Sequence, residues 1–537
     1  MKGVLVLCSL FILLIGQNIQ DARMLGLGGA YCTLSSGFRA VGINPANINY
    51  NTNWTVNIFS SKTNILNNFL NLNRYNELNG AHFDNPLSTS YYPKENISRI
   101  LKGQGLQFAI NSIMSIPSLN FSKDNYAFTS NLIFYGDVQF PQAFIDLMFF
   151  GNPIGKELDM SFSQNILSSL ETSFSYAYDF GEISLGGSLK YLQGIYYSNM
   201  EELETPYFKT DTTAFVGSGN YLIKQGLGGL GFALDLGLST KEFDNGMKYG
   251  VSIINAFSSM EWNNKALMNG LEKLGVSFPV REKEYFFFSF KIDSLSSETL
   301  LGGASTQDLF KTETYKVSII NVDEIPVIDP LNYIGDMPPF YIDQTGDLSE
   351  IVSSDEQIIE SDKIVKITDG RVFIPTDNLN DLSSFKAEAF TMNYPTFLRF
   401  GVSKNFKEED VVIAADIMTG FDNMFGNEEK WKISIGTEIN KNPKIPLRLG
   451  ITLGGKDKQR VGFGTGYNFG NMKLDIGYGY IGGFSLNSTR GADLALSMYY
   501  DYKKSDQNKL TFIDKIKNFL STVFDKVKES FQSDENN

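Results

Sequence analysis

Catalysis needs a base or a nucleophile held by a partner. The chain has one histidine, His82, and two cysteines, Cys8 and Cys32. Every Ser-His or Cys-His scheme would therefore hang on His82, and a histidine standing alone is most simply a loop or surface residue. Cys32 has no companion ligands at zinc spacing, and as a small buried residue it needs no chemistry. The stretch GLGGAY, from Gly26 to Tyr31, looks at first like a phosphate-cradling loop. The dinucleotide fingerprint requires a strand before it and a third glycine where Tyr31 stands, so that chemistry is excluded. No catalytic residue, cofactor or metal is assigned. A net charge of -14 also argues against nucleic acid, whose phosphates demand a basic face.

The segment that carries GLGGAY follows an address. Lys2 and the apolar run VLVLCSLFILLIG read as a signal peptide over 1–16, ending by 20 at the latest. The run is too short to span a bilayer as a helix. With Cys8 removed, only Cys32 remains and no intramolecular disulfide can form. An exported chain without that staple needs a large sheet. Aromatic content is 13%, with Gly 49, Tyr 26 and Phe 43, which suits such a sheet better than a soluble enzyme.

Alternation by two recurs through most of the chain. In TSFSYAYDF, Phe174, Tyr176, Tyr178 and Phe180 share one face, and ISLGGSLKY continues as the second arm of a hairpin. In WKISIGTEI, PLRLGITLG and KLDIGYGY, Ile, Leu, Trp and Tyr alternate with Gly, Ser, Thr and isolated charges. A soluble β-sandwich would bury the apolar faces against each other. A membrane barrel would turn them to lipid and keep the small and charged face for its lumen. Aromatic ends to the apolar faces and mixed charges opposite favour the barrel. Lys190, Asp235, Arg399, Asp416, Lys432, Arg448 and Asp475 are then the lumen-facing candidates, more simply pore lining than acid-base machinery.

Connections alternate in length. Short turns at 181–182, 407–410, 440–444 and 469–471 alternate with longer ones at 193–229, 419–429 and 481–491, which puts the long loops outside and the C-terminus in the periplasm. Residues 320–394 are acidic with little alternation and read as a solvated loop insertion. FPQAFIDLMFFGN reads as a helix with Pro141 in its first turn and Gly151 as its stop, in the lumen or at the rim. The tail places Phe512, Ile516, Phe519, Leu520, Val523, Val527 and Phe531 on one stripe, an amphipathic helix within 506–537. It would lie on the inner leaflet, bind a periplasmic partner through 510–531, or pack on the barrel rim.

Gly26, Gly28, Gly29 and Tyr31, followed by Asn44-Pro45-Ala46, resemble the start of barrels related to FadL, the long-chain fatty-acid transporter, and are similar to PorV-type barrels of the type IX secretion system. That resemblance implies a barrel of about 14 strands with an N-terminal hatch in its lumen. Glycines permit φ > 0 turns and close approach to a wall, and Asn-Pro fixes a bend. FPQAFIDLMFFGN, GKELDMS, LKYLQG, GLGFALDLGL, YPTFLRFGVS, VVIAADIMTGF and PLRLGITLGG, in that order, also resemble a family of unassigned outer-membrane barrels common in Bacteroidota-like bacteria. No functional residue carries over from it.

The expectation is an all-β, transmembrane antiparallel barrel over 51–505 with a plug segment over 17–50 and a periplasmic C-terminal helix. It would be integral to the outer membrane, in contact with its lipid, and would pass or capture a hydrophobic or other small ligand. The alternatives are a PorV-like secretion or anchoring component and a soluble secreted β-protein used in adhesion.

Overall fold

A computed structural model describes residues 21–502, apart from 51–53, 102–104, 152–153, 212–213, 263–268, 271–272, 274–282, 297–310, 330, 336–339, 345–347, 351–364, 367–370, 376–389, 422–429 and 456–457. The expected signal peptide and the amphipathic helix of 506–537 lie outside the described residues, as do parts of 320–394.

The chain closes a 14-strand antiparallel barrel. Numbering only the strands of the ring, these are β1 (Trp54–Asn67), β2 (Leu106–Ser115), β3 (Tyr126–Phe140), β4 (Ser163–Asp179), β5 (Ile183–Glu202), β6 (Gly229–Thr240) and β7 (Met247–Trp262). The second half holds β8 (Phe397–Phe406), β9 (Val411–Gly420), β10 (Lys432–Ile439), β11 (Leu447–Gly454), β12 (Gln459–Phe469), β13 (Met472–Ile481) and β14 (Gly491–Tyr502). Each pairs with its neighbour in order, and closure comes where Trp54 of β1 registers with Tyr502 of β14. Closure leaves no edge in the ring, so its backbone donors and acceptors are paired within the sheet.

The alternation has a direction. In β10, Ile433, Ile435 and Ile439 are exposed while Lys432, Ser434, Gly436 and Glu438 are buried or inward. In β11, Leu447, Leu449 and Leu453 are exposed and Arg448, Gly450 and Thr452 are buried. Phe174, Tyr176 and Tyr178 of β4 and Leu185, Leu189 and Tyr191 of β5 also face out. A soluble sandwich would hide these side chains in its core. An apolar belt on the outside and polar groups within is the solution for a sheet that spans a bilayer, and the sandwich alternative falls on that point.

Two stretches differ from the sequence expectation. Residues 193–229 are not a loop: β5 runs on to Glu202, and Ala214–Leu227 returns beside it, from Tyr196↔Leu227 to Glu202↔Tyr221. At Gly228, with φ +74, this returning strand passes into β6. Beyond the ring, Lys283–Ser296 pairs with Ala214–Leu227, Lys311–Asn321 with Lys283–Ser296, and Arg371–Pro375 with Lys311–Asn321. The expected loop of 320–394 thus contributes at least one strand. Its acidity hid that strand because the apolar residues that pack, Val372, Phe373 and Ile374, are few and consecutive.

Short helices occur both inside and beyond the ring: α1 (Ala22–Gly26) belongs to the N-terminal segment within it, and α2 (Leu72–Leu78), α3 (Glu95–Leu101) and α4 (Gln142–Phe150) lie between ring strands at the long-loop end. Helix α4 realises FPQAFIDLMFFGN, with Pro141 as its N-cap and Gly151 at φ +67 ending it. Ile145 and Phe149 pack against Ile97 and Leu101 of α3, so α4 sits at the rim rather than in the lumen.

Candidate functional site

The N-terminal segment, Asp21–Tyr50, gathers Met24, Leu25, Leu27, Tyr31, Leu34 and Ile43 into a small apolar cluster closed by Ala414 and Ala495 of the wall. Asp21 caps α1 by accepting from Met24 N at 2.7 Å, and Gly28 and Gly29, at φ +61 and +92, turn the chain out of the helix. Asn44 accepts from Ala46 N at 3.2 Å and starts a single 3₁₀ turn with Pro45 in its first position. Gly26, Gly28, Gly29, Tyr31, Asn44, Pro45 and Ala46 are all buried, and what buries them is the inner face of the barrel.

Small residues of the wall make that approach possible. A Cβ added at Gly450 or Gly436 would fall inside contact distance of the Leu27 backbone, and one at Gly477 would lie 2.7 Å from Ala22 O. Gly28 is equally constrained, since a Cβ there would meet Ile451 N at 2.7 Å. Gly436, Gly450 and Gly477 are thus a seat for backbone.

Charges of the wall fasten the segment. Arg23 donates from Nε and Nη2 to both oxygens of Glu438, at 2.8 and 2.9 Å. Glu438 also accepts from Arg448 Nε at 2.6 Å, and Arg448 Nη1 reaches Asp475 at 2.7 Å. Tyr499 donates to Asp475 at 3.3 Å and accepts from Arg39 Nη1 at 2.8 Å, which returns the chain of contacts to the segment. Asp416 Oδ2 accepts from Tyr31 N and Cys32 N, both at 2.8 Å, and Arg399 beside it donates to Gly29 O at 3.1 Å. On the opposite wall Ser252 donates to Ile43 O at 2.5 Å, Lys248 to Asn47 at 2.8 Å, and Asn44 to Leu238 O at 3.1 Å. Burial pushes the Cys32 thiol up to about 12, reinforced by the carboxylate of Asp416. It pushes the Tyr31 phenol up to about 12 against the pull of Arg39.

Of the lumen-facing candidates, Arg399 and Asp416 form one pair at 3.3 Å, and Arg448 and Asp475 another at 2.7 Å. Lys190 bridges Asp235 at 3.1 Å and Glu171 at 3.4 Å. Lys432 is buried on the same inner face. The paired groups neutralise one another, and Asp416 and Arg399 hold the segment directly, where an open pore would have left them to water. Sequence reasoning missed Glu438, Glu171 and the segment's own Arg23 and Arg39. Glu438 was visible as the polar partner of Ile439 in WKISIGTEI; the arginines carried no periodic signal.

The lumen changes character along its axis. Toward the short turns the inward residues include Ser175, Ser188, Lys190, Asp235, Lys248 and Ser252. Toward the long loops they become Tyr135, Leu167, Leu192, Met260 and Trp262, which pack with Tyr197, Tyr285, Phe287, Phe390 and Tyr394 in one cluster. Trp262 stacks on Tyr197 with centroids 5.5 Å apart and covers Gly194, Gly226 and Gly229, where the returning strand meets β6. His82 lies exposed at the long-loop end, away from this cluster. Among the described residues no group of three or more His, Cys, Asp or Glu is placed to hold a metal ion.

No family model matches the sequence, and no curated protein matches it. Among solved structures it is similar to the Pseudomonas putida toluene transporter TodX, at 12% identity over 90% of this chain and 99% of that one, with a TM-score of 0.41. It is similar to the CymD monoaromatic hydrocarbon channel, at 10% identity over 91% and 99%, with a TM-score of 0.43. A Pseudomonas aeruginosa FadL homologue matches at 10% identity over 91% and 100%, with a TM-score of 0.40.

Proposed function

We propose that this chain is an integral outer-membrane barrel that admits a hydrophobic or other small ligand from its long-loop side, with Asp21–Tyr50 as the plug. The observation that carries this is the axial change in the lumen. An apolar, aromatic cluster on the long-loop side gives way to charged residues where the segment is seated. A ligand that partitions into the first region meets a barrier in the second, and passage requires the segment to shift or leave. The segment's hydrogen bonds and ion pairs to the wall can each be exchanged for water when it moves, while its small apolar cluster against Ala414 and Ala495 favours the seated state. The outward belt of Ile, Leu, Phe and Tyr contacts membrane lipid, and the short-turn end faces the periplasm. Nucleic acid has no place in this scheme.

The test uses the full chain with Trp54 and Trp431 replaced by Phe, which leaves Trp262 as the reporter among 3 tryptophans. Titration of detergent-solubilised barrel with toluene and with laurate should give a saturable change in Trp262 emission for at least one. A flat response to both sinks the transport reading and leaves a barrel whose partner is protein.

A further inference from the structure

Helix α4 is apolar on two sides. Ile145 and Phe149 pack on Ile97 and Leu101 of α3, and Gln142 donates to Ser98 Oγ of the same helix at 2.8 Å. A second stripe is open: Phe144 is 42% exposed and Met148, one turn on, is 67% exposed. Asp146 stands two residues from each and so points to the far side of the helix. Single exposed apolar residues need no explanation, but a contiguous apolar surface with a polar border marks a place of interaction.

Alternation in β2 and β3 decides which side of the wall this stripe belongs to. Gln107 and Gln139 register with each other and face the lumen. There Gln107 donates to Asp137 at 2.9 Å, and Tyr135, a member of the lumen cluster, donates to the same carboxylate at 2.8 Å. Leu106 and Phe140, one residue along from each, therefore pair on the outward face, beside the exposed Phe108. Both reach the helices. Leu106 packs into the cluster of Ile97, Leu101 and Ile145. Ring centroids of Phe140 and Phe144 lie 6.1 Å apart, and those of Phe140 and Phe162, just before β4, lie 5.3 Å apart. The outward belt thus continues from Phe108 and Phe140 onto Phe144 and Met148. At the helix end the Lys94 ammonium lies 5.4 Å from the Phe150 ring centroid and pairs with Asp84 at 2.9 Å, which gives the stripe a charged border.

We propose that α4 lies in the interface of the outer leaflet, with its Phe144–Met148 stripe against lipid acyl chains. This rests on the lipid-facing belt proposed above and carries it past the ends of the strands. An apolar stripe with a charged border suits that depth, where the apolar side sits about 5–10 Å into the boundary between headgroups and chains. Lipid is the occupant because the stripe prolongs a surface that already meets lipid; a protein there would have to cover belt and helix together. Docked in this way, α4 anchors the β3–β4 connection, and α3 packed upon it, at the membrane surface outside the ring.

The test places an environment-sensitive fluorophore on Met148→Cys, Phe144→Cys, Leu449→Cys and Glu408→Cys. Each is made in the full chain with Cys8→Ser and Cys32→Ser, folded into phosphatidylcholine vesicles and checked by its heat-dependent gel shift. The vesicles carry nitroxide lipids, labelled either near the headgroup or at the chain end. Leu449 reports the belt, and Glu408, exposed in a short turn, reports water. Headgroup-side nitroxide should quench the Met148 and Phe144 labels at least about twofold more than the Glu408 label, and more than chain-end nitroxide does, as an interfacial depth requires. Met148, the more exposed position, decides if Phe144→Cys does not fold. Quenching at Met148 no greater than at Glu408, with Leu449 quenched, would put α4 in water and overturn the inference while leaving the belt in lipid. Stronger quenching from the chain end would overturn it as well. A Met148 label that emits as a buried one and that neither nitroxide quenches would place a second copy of the chain on the stripe, which also overturns it. Absence of quenching at Leu449 would take down the lipid-facing belt itself, and the docking of α4 with it.

Discussion

Replacing Asp416 by Ala should unfasten the N-terminal segment without opening the barrel. One carboxylate oxygen takes both Tyr31 N and Cys32 N at 2.8 Å, with Arg399 Nη1 at 3.3 Å. Hydrogen bonds to a charged group contribute about 1.5–3 kcal/mol each, so losing the two backbone bonds removes roughly 3–6 kcal/mol from the closed state. That corresponds to an opening equilibrium raised about 10² to 10⁴-fold. Cys32 reports it: the thiol is fully buried, and in a Cys8→Ser background it is the remaining one of 2 cysteines. Burial and Asp416 hold the closed thiol at about 12, so at pH 8 only about 10⁻⁴ of it is thiolate, against roughly a quarter of an ordinary thiol near 8.5. Labelling with a maleimide must then proceed through the open form. The sign follows: labelling through opening rises with pH and levels off above about 8.5, whereas direct attack on the seated thiol would keep rising toward about 12. The assay is the labelling rate of Asp416→Ala against the parent, from pH 6 to 10, on protein that retains its heat-dependent gel shift. An increase below about threefold, less than the effect of even 1 kcal/mol, or a profile still climbing at pH 10, would refute the reasoning.

The same geometry fixes other outcomes. Glu438→Gln leaves half-buried Arg23 and buried Arg448 side by side with no full negative charge between them; breaking a buried pair such as Arg448–Glu438 costs about 3–5 kcal/mol. Proteolysis of the segment in the intact barrel should accelerate accordingly, and unchanged cleavage would count against the network. Gly450→Leu sets a side chain into the Leu27–Gly28 backbone, so the segment should be expelled and single-channel conductance in a planar bilayer should rise above that of the parent. Conductance equal to the parent's would mean that the segment does not obstruct the lumen. Leu449→Arg places a charge on the outward face, where Leu449 is 54% exposed. Its folding into vesicles should lose about 2–4 kcal/mol if the position lies near the midplane, while a loss near zero would move that face out of the lipid.

The sequence by itself determined the alternating strands and favoured a barrel. Alternation by two is a local property, so WKISIGTEI or TSFSYAYDF announces one apolar and one polar face before any partner strand is known. The alternation left open whether the apolar faces meet a core or lipid; the outward exposure of Ile435 and Leu449 in the closed ring decided for lipid. The chemistry of GLGGAY and Asn-Pro likewise announced turns and a close approach. What it approaches was decided by the tertiary structure: Gly436 and Gly450 lie 14 residues apart in sequence and meet Leu27 only because β10 and β11 pair in register. Pairing of charges is equally non-local. Arg23 and Glu438 are 415 residues apart, and no spacing rule links them. The continuation of β5 past the ring was hidden for the opposite reason: Gly194, Gly226 and Gly229 look like loop glycines until Trp262 is placed over them. Composition sets which faces the strands own, and closure of the ring decides which residues share the space inside it.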